Sequence, residues 1–127
     1  AGVAPWNLAS YEVTDQNGIP FVDNKRINFF HYHELSFFES NQFFLTSYKL
    51  RQSALNYIYM PYIKELNDIR NMLNTRYPDF NYYKKLQVPS FCDSLISLNI
   101  ERIRLYLRYL FLRVSGRFRH NCVKLYE

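Results

Sequence analysis

The chain is sparing of cysteine and carries no long uncharged apolar run, and each shortage excludes a class of protein. Cys92 and Cys122 are its only two cysteines, far apart and outside any CxxC or metal-like spacing. Neither a disulfide framework nor a cysteine-ligated zinc site is therefore written here, and a reduced, cytosolic compartment is the expectation. No uncharged apolar stretch reaches the roughly 18 residues a membrane-spanning helix needs. Internal repeats and low-complexity segments are missing too, so the chain does not read as a solenoid or a disordered tract. Ala1-Gly2-Val3 is not the positively charged start of a signal peptide. The lack of an initiator Met agrees with a fragment or a processed start.

What is present fits one domain. The 127 residues are 48% apolar, enough to build a core. Aromatics make up 19%, but they rise together with Asn, Ile and Lys, as AT-rich coding favours, so tyrosine number alone carries little function. The charge is more telling. Residues 1–100 hold nine basic and nine acidic side chains. Residues 101–127 hold seven basic ones against Glu101 and Glu127. All of the +5 excess therefore lies in the final stretch, which points to an anionic partner there.

Local pattern divides the chain at about residue 45. Residues 10–34 read as a small antiparallel β element. Tyr11–Thr14 is a strand signal, and Asn17-Gly18 is a tight-turn dipeptide because both central residues tolerate positive φ. Ile19–Val22 returns, with Pro20 indicating an edge strand. Asp23-Asn24-Lys25 makes a second turn, and Ile27–His33 is the best strand in the chain. From Thr46 the period becomes helical: Leu55, Ile58, Tyr62, Leu66, Ile69 and Leu73 form one apolar stripe. Pro61 interrupts it and predicts a kink or two consecutive helices. Tyr77-Pro78-Asp79 ends the segment, and residues 79–92 read as a loop. A last helix is expected from about Asp93 to Ser115, with Asp93 as N-cap and Gly116 as C′ residue. Its main apolar face is Ile100, Ile103, Leu107, Leu110 and Val114. A second strip, Leu105, Tyr109 and Leu112, lies between arginine pairs. The expected architecture is α+β and helix-dominated, a small β element followed by about three helices.

Two motifs carry possible chemistry. Ala4-Pro5-Trp6-Asn7-Leu8 precedes the hairpin, and Phe29-Phe30-His31-Tyr32-His33 follows it. Together they resemble the C-terminal part of bacterial nucleotide-diphospho-sugar glycosyltransferases, GT-A-type relatives of the glycogenin-like enzymes. In that family the first motif typically reads Asn-Val-Ala-Pro/Tyr-Trp-Asn-Leu and the second Phe-Phe-His-Phe-His/Ser-Gly. The resemblance is closest over residues 3–35. Over 46–75 it is loose, where Tyr59 and Tyr62 follow a Tyr-x-x-Tyr-like pattern. Here Gly2 replaces the family's Asn, Glu34 replaces its Gly, and no Lys-Pro-Trp follows. Glu34 is expected to remove backbone freedom that Gly would give.

The resemblance implies roles. His31 would bind the divalent ion, Mn²⁺ or Mg²⁺, that clamps a sugar-nucleotide diphosphate. His33, Trp6 and Asn7 would shape the substrate site. If residues 27–33 form a strand, His31 and His33 share a face about 7 Å apart. The residue-level alternative stays open: two hydrogen-bonded imidazoles at a strand end, with Trp6 and Asn7 fixing a turn and packing under the sheet. The family's Asp-x-Asp lies upstream of the first motif, and none occurs in this chain. The resemblance thus implies residues 1–45 as the C-terminal β part of a glycosyltransferase domain and 46–127 as a helical extension. Such a segment, inert alone, would work with an upstream catalytic domain, a nucleotide sugar and a glycan or glycolipid acceptor. Its expected place is cytoplasmic, peripheral at the inner face of the membrane.

A second reading treats Arg102, Arg104, Arg108, Arg113, Arg117 and Arg119 as a stand-alone basic module for an anionic membrane surface or another polyanion. No zinc-finger or RNP signature favours nucleic acid. A solvated face, or a two-faced helix that dimerises, are the structural alternatives.

Overall fold

The computed structural model describes residues 2–38, 41–78 and 100–125; within them, the side chains of 100–103, 105, 118 and 119 lie outside the description. The protein is α+β, with two small antiparallel sheets and long helices. A short helix, α1 (Pro5–Leu8), leads into β1 (Val13–Gln16), β2 (Ile19–Val22) and β3 (Lys25–Arg26). Asn17 and Gly18 both have positive φ, 56° and 80°, as do Asp23 and Asn24, 45° and 61°. Each pair closes a two-residue turn whose twist suits the flanking strands. The order is β1-β2-β3, so Pro20 sits in the central strand, not at an edge. It is tolerated because Pro20, opposite Asp15, turns its nitrogen away from β1, toward a place where β3 has already ended.

The expected strand Ile27–His33 forms no ladder. Its backbone contributes one parallel bridge, Val3 to Phe30, and His31 N–H donates to the Val3 carbonyl at 3.1 Å. The second sheet lies elsewhere: β4 (Ser36–Phe38), β5 (Gln42–Phe44) and β6 (Cys122–Lys124), with β5 central. Phe43 faces Phe37 on one side and Val123 on the other. Residues from both sides of position 45 thus share one sheet and one core, in which Val3, Leu8, Val13 and Phe43 pack with Ile58, Tyr59 and Ile63.

Helix α2 (Gln52–Ala54) passes through a π-helical turn, Leu55–Tyr59, into α3 (Met60–Arg76), with Pro61 in its first turn. Pro61 has no N–H for the regular ladder, and the wider π turn absorbs the defect. That turn inserts an extra residue, and the inward face moves round with it. From its last residue onward the buried positions are Tyr59, Ile63, Asn67 and Arg70, while Ile69 of the expected stripe is exposed. Arg70 is buried beside Asn41 and Asn67, hydrogen-bonds to both, and stands over the Phe43 ring.

The described last long helix is α4 (Ile100–Val114); the expected N-cap Asp93 and the loop at 79–92 lie outside the described residues. Gly116 ends it with φ +70° and leads into α5 (Arg117–His120), as its freedom from a Cβ permits. Of the expected main apolar face, Leu107, Leu110 and Val114 are exposed and the side chains of Ile100 and Ile103 lie outside the described residues, whereas Leu112, of the second strip, is buried. Among the described residues, no helix is long and apolar enough to cross a membrane.

Cys122, on β6, is half-buried, and burial alone pushes its thiol up to about 11. It should react sluggishly with iodoacetamide at neutral pH in the folded chain and quickly once unfolded, because only the thiolate attacks. The folded pKa lies above the ordinary 9.0, so its contribution to stability is complete below pH 9 and is lost as pH rises toward 11. Urea midpoints across that range check the sign.

Candidate functional site

The site begins with a local clamp. Asn7 Oδ1 accepts from the Ala4 N–H at 2.9 Å, and Asn7 Nδ2 donates to the Gly2 carbonyl at 3.2 Å. Both ends of the amide are used on backbone, so Asn7 fixes the start of α1. The turn expected of Asn7 is there, but Trp6 does not pack beneath a sheet: it is 54% exposed.

Around Trp6 stand three more rings. The His31 and His33 imidazoles each lie 5.7 Å from the indole, and Tyr48 lies 6.3 Å away. The two imidazoles are stacked on each other at 5.7 Å. They share a side as expected, but the cause is a tight turn and not a strand. His33 N–H donates to the His31 carbonyl at 2.8 Å, the hydrogen bond of a γ-turn about Tyr32. Phe30 and Tyr32, between the outward side chains, point inward. Tyr32 stacks on Tyr62 at 3.9 Å, meets Tyr59 edge-on and donates its O–H to the Ile58 carbonyl at 3.1 Å. Burial pushes the Tyr32 and Tyr59 phenols well above their ordinary range. Tyr59 and Tyr62 therefore serve packing; Tyr57 is exposed.

Glu34 closes the turn with φ +69°, the left-handed region glycine favours. The lost backbone freedom expected at this residue does not prevent the conformation; contacts of its side chain hold it. The carboxylate accepts from the Ser47 N–H at 2.6 Å and from Thr46 Oγ1 at 3.5 Å, and it pairs with the Arg108 guanidinium. Arg108 also donates to Ser47 Oγ at 2.9 Å. His33 Nε2 lies 3.9 Å from Glu34 Oε1, the oxygen that also meets Arg108. Glu34 thereby joins the histidine turn, the 46–48 loop and α4.

The loop that carries Tyr48 is held from the far end of the chain. Asn121, fully buried, donates from Nδ2 to the carbonyls of Thr46 and Tyr48, each at 2.7 Å. Sequence reasoning missed Tyr48 because nothing local links it to Trp6. It noticed Glu34 only as a departure from a motif.

Four of the six arginines have described side chains. Arg108 faces Glu34, Arg113 lies over the Tyr109 ring at 5.7 Å and Arg117 over Phe111 at 5.3 Å. Arg104 is exposed, and the side chains of Arg102 and Arg119 fall outside the described residues.

Among the described residues, no group of three or more His, Cys, Asp or Glu side chains could hold a metal ion. Glu34 is committed to Ser47 and Arg108, which leaves the two imidazoles as a partial ligand set. Imidazole suits Mn²⁺ better than Mg²⁺, which prefers oxygen.

Fold and site together define an α+β chain that presents an exposed indole, two imidazoles and a phenol on one surface. Over 82 residues, 63% of its length, it is 29% identical to the uncharacterized protein YfnD of Bacillus subtilis (strain 168). The match takes in 26% of that relative, so the chain spans well under half of its length. No family model matches the chain, and no solved structure does.

Proposed function

We propose that this chain is the C-terminal segment of a GT-A-type glycosyltransferase, which transfers a sugar from a nucleotide-diphosphate donor to a glycan or glycolipid acceptor. The observation that carries the reading is the exposed Trp6–His31–His33 cluster, which brings together the two motifs on which the family resemblance rests, with Tyr48 beside it. The left-handed backbone at Glu34, the position of the family's glycine, supports it as well. The described residues on both sides of position 45, which share one core, then form the end of the catalytic domain, with the donor-binding part upstream.

In this reading His31 supplies one nitrogen to Mn²⁺ or Mg²⁺. The remaining ligands would come from the donor diphosphate and from an upstream domain. The ion's chemistry is to neutralise charge on the leaving diphosphate. Trp6 and Tyr48 offer flat apolar faces to a sugar ring or base, His33 borders them, and Asn7 acts through the clamp that positions Trp6. The protein works in the cytoplasm, peripheral to the inner face of the membrane.

The test joins this chain to its encoded upstream sequence and measures metal-dependent turnover of nucleotide sugars. His31→Ala should lower that turnover by about tenfold or more, with Asn7→Ala weaker in effect. Full metal-dependent activity in the His31→Ala protein, or no turnover of any nucleotide sugar by the intact one, overturns the proposal.

A second reading, a basic module for an anionic surface, is favoured by one observation: the exposed apolar side of α4 lies among arginines.

A further inference from the structure

Helix α4 turns four of its described apolar side chains away from the core. Leu107 is 56% exposed, Leu110 43%, Phe111 56% and Val114 82%. They recur at spacings of three and four, so they make one continuous ridge. Single exposed apolar residues are ordinary, but a contiguous stripe of four marks a surface that something covers.

The ridge runs into a cationic cleft. Where Gly116 reverses the chain, an open hollow of about 460 Å³ is lined by Lys49, Ser115, Arg117 and His120, with Leu50 and Asn121 also in its wall. Among the described residues, no acidic side chain lines it. The Arg117 guanidinium lies 5.3 Å over the Phe111 ring, so one residue belongs to both features. The cleft is held from within. Both Asn121 Nδ2 bonds go to the carbonyls of Thr46 and Tyr48, which fixes the amide, so its Oδ1 accepts from His120 Nδ1 at 3.0 Å. That bond leaves the ring's Nε2 unused. The same buried amide anchors the loop that leads to Lys49.

We propose that this end of the protein docks on a bilayer containing anionic phospholipid. The ridge enters the boundary between headgroups and acyl chains, and the cleft takes a headgroup phosphate between Lys49 and Arg117. A free phosphate ester would fill the cleft and leave the ridge in water. A symmetric second copy would bring its own cationic cleft to the same interface, where like charges oppose association. Only a surface that is anionic above and apolar below matches both features. Arg108 takes no part, since Glu34 and Ser47 hold it. The inference names the partner for the peripheral placement proposed above; the binding itself requires neither nucleotide sugar nor metal.

Sedimentation of the 127-residue chain with vesicles tests it. Vesicles of phosphatidylcholine with phosphatidylglycerol should bind the chain, those of phosphatidylcholine alone should bind it far less, and added salt should release it. Lys49→Gln with Arg117→Gln should weaken binding by about tenfold or more. Leu110→Ser with Phe111→Ser should abolish it. Lys25→Gln with Arg26→Gln removes the same charge from β3 and should leave binding unchanged. Equal binding to both vesicles overturns the proposal, as does a Lys49/Arg117 variant no weaker than the Lys25/Arg26 one. Free glycerol phosphate that binds the cleft without any vesicle binding, or a dimer in solution that the Leu110/Phe111 variant dissolves, overturns it too. The wild-type comparison between the two vesicles decides the matter even if a variant fails to fold. Binding here with no sugar-nucleotide turnover in the longer protein would separate this inference from the catalytic one.

Discussion

Phe43→Ala should lower the unfolding free energy by about 3–5 kcal/mol, read from the urea midpoint of the 127-residue chain. The ring is fully buried at the centre of β5, meets Phe37 edge-on at 5.1 Å and sits between β4 and β6. Truncation loses the transfer energy of the ring and leaves a void that three short strands cannot close. It also strips the aromatic face from under Arg70, a buried guanidinium 5.9 Å away. A cation already out of water depends more on each neighbour than an exposed one does. Phe43→Leu keeps most of the volume and should cost under about 1.5 kcal/mol. If the alanine variant loses less than the leucine one, Phe43 is not the centre of that sheet.

Glu34 makes the second large effect, and it separates backbone from side chain. Glu34→Ala removes the acceptor for Ser47 N–H and Thr46 Oγ1 and the partner of Arg108. Leaving those groups unmet costs about 1–3 kcal/mol. The ion-pair share is small, because half of the Arg108 side chain is exposed and can turn to water. Alanine also keeps the strain of φ +69°. Glu34→Gly loses the same contacts but relieves that strain, so it should be about 1 kcal/mol more stable than Glu34→Ala. Identical losses for the two variants would place the whole effect in the side chain. Neither change touches Trp6, yet both should loosen the His31–His33 turn and alter Trp6 fluorescence.

Several elements were readable from residue order because their causes are local. The Asn17-Gly18 and Asp23-Asn24 turns, the helix around Pro61 and its neighbours, and the stop at Gly116 all depend on the conformational limits of one or two residues. The α+β class follows from the same signals. A shared place for Trp6, His31 and His33 came only from the family resemblance; residue order alone put Trp6 under the sheet, where it does not lie.

Other features depend on partners far along the chain. β4, β5 and β6 are each three residues long, too short for alternation to register, and β6 belongs to a stretch whose composition speaks only of charge. Ile27–His33 has the residues of a strand and even its alternation, but beyond the Val3–Phe30 bridge it has no ladder. Periodicity marked two apolar strips on α4 without saying which faces in. The inner side is the one that carries Leu112 and sends Arg108 to Glu34. The α3 stripe slipped because a π turn adds a residue that no helical wheel anticipates.

The second sheet has a consequence for synthesis on the ribosome. β5 has β4 beside it early, but its other edge stays bare until Cys122–Lys124 emerge. During that interval two phenylalanines and a row of unpaired amides are open to any extended chain nearby. This half of the protein therefore matures late, and a nascent chain stalled before β6 is the species a chaperone would have to shield.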